Sequence, residues 1–203
     1  MNNKTLLFIL LIVPMMSFGQ VNESRWINSM YAQYDSEDYL KLEIVNTKID
    51  FDNIDYDLFS ASIFYATNFQ RKKYRRKKLK YSSALASAAK GHSNDMVNYD
   101  FHSHRSKVKG KIKLRDRMMI VGIKQAYIGE NINDTYSGEI EPTYWSFAIE
   151  IVEEWMNSEG HRANILDKNF KYLGCGVSYY VDKDWLDYNF VKTTQNFSSY
   201  SPK

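Results

Sequence analysis

The chain has 203 residues, with 27 Lys and Arg against 24 Asp and Glu and four His, for a formal net charge of +3. A balance this close to zero selects no charged partner, and no nucleic acid is expected as a ligand. Aromatic residues make up 15% of the chain, which argues against disorder and for a domain with a real core.

Residues 1–19, MNNKTLLFILLIVPMMSFG, carry one Lys, an apolar run from Leu6 to Met16, and Ser17 and Gly19 at the small-residue positions of a cleavage site. That is the pattern of a secretory signal peptide, and its apolar run falls short of the roughly 20 residues that cross a bilayer. A secreted or periplasmic protein starting at Gln20 is expected, with no transmembrane segment once the signal is removed. Cys175 is the only cysteine, so no internal disulfide can form even in an oxidising compartment.

Three units are expected: the signal at 1–19, an acidic extension at 20–57, and one domain at 58–203. The extension is rich in Asp and Glu from Asp35 through Asp57 and shows no sustained helical or strand period. Next, LFSASIFYATNFQRKKY has apolar residues on a helical face and runs into RKKYRRKKLK, where eight of ten residues from Arg71 to Lys80 are basic. Such a run repels itself, which predicts a solvated helix end and loop; contact with an anionic envelope surface and docking of the acidic extension are the alternatives.

From Ser82, SSALASAAKGHSNDMVNY reads as a Ser-capped helix with the stripe Leu85, Ala89, His92, Met96, Tyr99 facing inward. His92 on that stripe reads as a satisfied core histidine. Gly91 weakens a helix by about 1 kcal/mol relative to Ala, which suggests close packing there. A loop, DFHSHRSKVKGK, leads to a short apolar segment, LRDRMMIVGI, and to AYIGENIND, a strand with its neighbouring turn. In EPTYWSFAIEIVEEWMNSEG, Pro142 suits a first helical turn, and Trp145, Ala148, Ile149, Val152 and Met156 mark the buried face of a helix ending near Gly160. The runs YLGCGVSYYV and YNFVKTTQNFS, joined by a polar turn over 182–187, form a hairpin that holds Cys175 as a buried, inert thiol. Helices early and paired strands late predict an α+β chain, with helices packed on an antiparallel sheet.

Polar residues stand where elements end: His102 and His104 in the loop, Glu130 in the strand, and His161 just past the helix. Such positions can converge without entering the core. The chain resembles the CAP superfamily, the cysteine-rich secretory, antigen 5 and pathogenesis-related proteins, in its disulfide-free bacterial form. The resemblance rests on Asn68 and Arg71, HSNDM from His92, Ser103-His104, GEN from Gly129, WMNSEGHRANIL from Trp155, LGCGV from Leu173 and TQNF from Thr194, which together span residues 58–199. It implies a three-layer α-β-α sandwich with a central, mostly antiparallel sheet, and a cleft lined by two His and two acidic residues. His104, Glu130 and His161 match three of those four, with His102 as the fallback for His104 and His92 as a structural member of the motif.

Where relatives carry the fourth acid, three residues after the helix Trp, this chain has Ser158. Glu154 lies a turn earlier, and helical side chains lean toward the N-terminus, so its carboxylate points away from His161. The resemblance therefore implies a ligand- or cation-binding module, and two His with one Glu are a set that zinc accepts. The alternatives are a metal-dependent hydrolase with Glu130 as general base, or an envelope-surface protein acting through residues 71–80. No nucleophile motif such as GxSxG is present.

Overall fold

The computed structural model describes residues 26–185 and 188–202, so the expected signal peptide lies outside the described residues. The acidic segment forms a short helix, α1 (Ser36–Tyr39), flanked by 3₁₀ turns at Asn28–Ala32 and Glu43–Asn46. Asp35 caps α1 by accepting the amides of Glu37 and Asp38 at 2.8 and 3.0 Å. Helices this short do not stand alone, and packing holds these. Trp26, Tyr39 and Val45 are almost fully buried and join the main core. Trp26 sets its ring edge-on to Tyr31, Tyr39 and Tyr65, with centroids 5.2–5.8 Å apart. The segment is thus acidic outside and aromatic underneath.

Helix α2 (Tyr56–Lys73), capped by Asp55, is buried along most of its length. Arg71 at its end is not solvated as the basic run suggested. Its guanidinium is buried and donates to the carbonyls of Lys77, Ile165 and Asp167 at 2.8, 2.6 and 3.0 Å. Lys72 pairs with Glu37 of the acidic segment, while Lys73 to Lys78 stay exposed. Asn68 brackets Leu79 with two backbone bonds and so sets the start of strand β1 (Lys80–Tyr81).

Ser82 caps α3 (Ser83–Asn98) as its sequence predicts, and Leu85, Ala89, His92 and Met96 are buried. Tyr99 departs from the stripe at 54% exposure, because the helix stops at Asn98 and Asp100 turns the chain with φ 47°. Close packing at Gly91 is absent too, since an added Cβ there would meet nothing within 4 Å. LRDRMMIVGI forms a helix, α4 (Leu114–Ile120), followed by β2 (Ile128–Tyr136). Helix α5 (Tyr144–Asn157) starts with a reciprocal Thr143–Ser146 cap, which leaves Pro142 just outside its first turn. Phe147, Ile151 and Trp155 lie at the centre of its buried face, with Trp145 and Ile149 at the margin.

After α6 (Glu159–Leu166) come β3 (Tyr172–Val181) and β4 (Asn189–Ser198), the expected hairpin. Among the described residues the sheet order is β1-β3-β4-β2, with β1 parallel to β3 and the other pairs antiparallel. Helix α3 covers one face, while α2 and α5 pack on the other side of the sheet, which gives the α+β three-layer sandwich. Contact between α3 and β3 is close enough to need glycine. A Cβ at Gly174 would stand 2.0 Å from the Ala86 nitrogen, and one at Gly176 would stand 2.2 Å from the Lys90 nitrogen. Central strand β4 buries polar residues beside Val191 and Phe197: Thr193, Thr194, Gln195, Asn196 and Ser198 have no exposed surface. Gln195 reaches Thr67 of α2 on one face and Thr194 meets Ser93 of α3 on the other, at 2.6 and 2.9 Å. Cys175 is buried, and burial pushes its thiol pKa up. No described helix is long and apolar enough to cross a membrane.

Candidate functional site

Strand β2 lies at the sheet edge, and Glu130 projects from it opposite Asn196 of β4. Its side chain is 2% exposed, so an ionised carboxylate there needs partners. Arg117 of α4, equally buried, supplies them with Nη2 2.8 and 2.7 Å from the two oxygens. The Nδ1 of His104 adds a bond at 3.0 Å, and the Asn196 amide, oriented with its nitrogen toward the carboxylate, adds another at 3.1 Å. Burial alone would raise the Glu130 pKa, but the His104 bond and the Arg117 charge outweigh it and hold the group below the usual carboxylate range. Arg117 also donates to the carbonyls of His104 and Lys111, which fixes the loop that carries the histidine. The His104 ring is 55% exposed. With Nδ1 engaged by the carboxylate, Nε2 is the nitrogen left for a ligand.

His92 supports this arrangement from within. Its ring has no exposed surface, Nε2–H donates to the Ser103 carbonyl at 3.1 Å, and the same nitrogen lies 4.0 Å from Glu130. Burial first, then Arg117 against the pull of Glu130, lowers its pKa to about 4. An NMR titration of the ring protons is expected to place the His92 midpoint near pH 4. A midpoint at 6 or above would mean that water reaches the ring.

Helix α6 carries His161 to the same edge. The expected stop at Gly160 is instead a break at Ser158, whose extended backbone (φ −93°, ψ 125°) ends α5 and starts α6. Gly160 sits inside α6, because the Ser158 carbonyl accepts the Arg162 amide at 2.8 Å and restarts the helical ladder. Asn131 and Asn164 rivet α6 to β2: Asn131 donates to the His161 carbonyl at 3.2 Å, and Asn164 to the Glu130 carbonyl at 3.2 Å and to the Asn131 side chain at 2.9 Å. The His161 ring is half-buried. Burial, then the charges of His104 and His102, lower its pKa.

His102 is exposed on the same loop as His104. Its pKa is lowered first by burial, with Asp134 opposing and Lys192 and His104 adding to the shift. Ser158 is half-buried at the helix junction, and its hydroxyl makes no capping bond. Glu154 turns away from the histidines, as helix geometry predicts, and accepts from Asn133 and Thr135 at 2.5 and 2.9 Å. Arg162 donates to the Met156 carbonyl at 3.1 Å and closes α5.

The expected zinc set does not fit this arrangement. Glu130 turns both oxygens to Arg117, and among the described residues no three His, Cys, Asp or Glu side chains are placed to hold one metal ion. The carboxylate works on the imidazole beside it, fixing its tautomer and orientation.

The sequence profile of the cysteine-rich secretory protein (CAP) family matches residues 64–193, which contain every residue of this cluster except Asn196 of β4. The protein belongs to the CAP family. It is 36% identical over 114 residues to the uncharacterized membrane protein YlbC of Bacillus subtilis, covering 56% of this chain and 29% of that one. It is 37% identical over 98 residues to the Bacillus subtilis protein YkwD, covering 48% of this chain and 34% of that one. The chain thus spans about a third of the length of these curated relatives. An SCP-domain extracellular protein from Bacillus anthracis superposes with a TM-score of 0.55 at 30% identity, over 70% of this chain and 41% of its own. An outer surface protein from Borrelia burgdorferi shares the fold alone, with a TM-score of 0.53 at 14% identity over 78% and 99% of the two chains.

In this CAP chain, sequence reasoning missed Arg117, Asn131 and Asn164. A signal existed for the first: LRDRMMIVGI places Arg115, Asp116 and Arg117 against an apolar run, and a buried Arg needs a carboxylate.

Proposed function

We propose that the protein is an extracytoplasmic binding module whose ligand enters a His/Glu cleft at the β2 edge and meets His104 and His161. Its export is supported by the sequence of residues 1–19 and by the extracellular protein of similar fold and 30% identity. One observation carries the binding reading: Arg117 neutralises Glu130, so the carboxylate orients His104 instead of acting as a base. A hydrolase would have to use His104 Nε2 as base, and no described hydroxyl is hydrogen-bonded to that ring.

Solubilised peptidoglycan is the probe. Calorimetry on wild type is expected to show saturable heat that is lost in His104→Ala/His161→Ala, with no hydrolysis of casein, peptidoglycan or p-nitrophenyl ester. Heat indifferent to the double substitution takes the ligand away from these rings. Turnover that Glu130→Gln abolishes replaces the module with a hydrolase. An anionic envelope surface is a separate partner for the exposed residues Lys73 to Lys78, with the buried Arg71 outside that patch.

A further inference from the structure

The basic run after α2 is held in one shape. Helix α2 closes with two backbone bonds, from the Arg76 amide to the Arg71 carbonyl at 2.8 Å and from the Arg75 amide to the Lys72 carbonyl at 2.9 Å. This closure needs a left-handed residue at the turn, and the residue there is Arg75, at φ 56°. Glycine takes that conformation without the steric penalty of a Cβ and is the usual choice. The chain keeps a charged side chain where folding alone favours glycine. The loop is also pinned from within, because the buried Arg71 guanidinium holds the carbonyls of Lys77, Ile165 and Asp167.

That pinning gathers cations from distant parts of the sequence. Lys77 and Asp167 share one guanidinium, which brings Lys168 up to the loop, and the Lys80 amide donates to the Lys171 carbonyl at 2.9 Å. Lys73, the four basic residues 75–78, Lys80, Lys168 and Lys171 are all exposed. Among the described residues none of these eight forms an ion pair, whereas Lys72 pairs with Glu37. The neighbouring acids have partners of their own: Asp35 accepts two amides of α1, and Asp167 accepts the Tyr127 hydroxyl at 3.0 Å. Two rings stand among the cations. Phe69, one turn before Lys73 on α2, is 38% exposed, and Tyr74 is 48% exposed.

We propose that this face docks on an anionic phospholipid bilayer, with its Lys and Arg at the headgroups and Phe69 and Tyr74 entering the interface. It extends the anionic-surface reading of Lys73 to Lys78, on which it rests, and names the partner. Clusters of about four to eight Lys and Arg bind anionic bilayers, each residue raising partitioning roughly five-fold. The exposed rings favour a bilayer over a soluble polyanion, because an aromatic side chain gains from the headgroup and acyl boundary and has no such boundary on a polyphosphate chain.

The test is co-sedimentation of the chain without residues 1–19 with equimolar phosphatidylglycerol and phosphatidylcholine vesicles, against phosphatidylcholine alone. Binding is expected only to the anionic vesicles, and to weaken ten-fold or more as salt rises from about 0.05 to about 0.5 M. Arg76→Ser/Lys77→Ser/Lys78→Ser is expected to lower partitioning about a hundred-fold. Arg75→Gly is expected to leave the thermal midpoint equal or higher while partitioning falls about five-fold, a split that a purely structural arginine would not give. Phe69→Ala/Tyr74→Ala should weaken vesicle binding and leave binding of soluble polyphosphate unchanged; circular dichroism checks the fold of each variant. Vesicle binding that ignores the triple substitution overturns the docking face. Binding that follows the lysines but ignores both rings overturns the bilayer and points to an anionic polymer. No binding of vesicles or polyphosphate removes the anionic-surface reading as well, and leaves the cleft, probed with peptidoglycan, untouched.

Discussion

Gly174→Ala is expected to destabilise the domain by about 3 kcal/mol or more, a large share of the roughly 5–15 kcal/mol that holds a domain folded. The added methyl would lie 2.0 Å from the Ala86 nitrogen and 2.3 Å from the Leu85 carbonyl carbon. These are backbone atoms of α3, so no side chain can rotate away, and the helix has to lift off the strand. Gly176→Ala repeats the clash one turn along α3, 2.2 Å from the Lys90 nitrogen. Gly91→Ala supplies the control: it lies in the same helix with nothing within 4 Å of its Cβ, and should be neutral or gain up to about 1 kcal/mol. Urea unfolding of the three variants measures the contrast. A Gly174→Ala protein within about 1 kcal/mol of wild type would refute the close seating of α3 on β3.

Arg117→Met is expected to cost about 3–5 kcal/mol at pH 7, because it leaves Glu130 ionised and buried without its counter-charge. The sign of the pH dependence separates this from a simple packing loss. In wild type, Glu130 titrates below its ordinary 4.5, so its stabilising contribution is present above that pH and is lost as pH falls through the lower folded value. In Arg117→Met the carboxylate is desolvated without compensation, its pKa rises, and stability falls as pH rises. The gap between wild type and variant should therefore be wider at pH 7 than at pH 4. Adding Glu130→Gln should recover part of the loss at pH 7. Equal losses at both pH values, with no recovery, would show that Arg117 acts through packing alone.

Much of the sandwich was legible before any coordinates. Period-2 alternation in YLGCGVSYYV reports a strand, although β3 is covered on both faces with its glycines under α3, and the apolar spacing of α5 reports a helix with one buried face. Helix α4 was not legible. Seven residues carry too few turns for a period to show, and they are held by the Arg117 ion pair and by Met118 packed on α3, both contacts made outside the helix. The acidic segment misled for a related reason. Its charges face water, while Trp26, Tyr39 and Val45 are spaced for a layer of α2 that local sequence does not reveal.

At the candidate site, sequence supplied the residue types and the geometry changed their roles. His104, Glu130 and His161 stand on separate segments, and the pairing that reassigns Glu130 comes from an arginine 13 residues earlier in the chain. Gly160 looked like a helix stop because glycine often follows a last turn, yet Ser158 had already turned the backbone out.

Central β4 is also the last strand of the sheet to leave the ribosome. Neither β2 nor β3 has its main partner until residues 189–198 are available, so the earlier segments must wait, unpaired, for this stretch before the sheet can close. The waiting chain then has a strand with a polar centre to insert, and a shift by one position would turn Gln195 from Thr67 and Thr194 from Ser93. Assembly is therefore late but registered in a single step, and a chain cut short before residue 189 would have nothing to place between the two flanking strands.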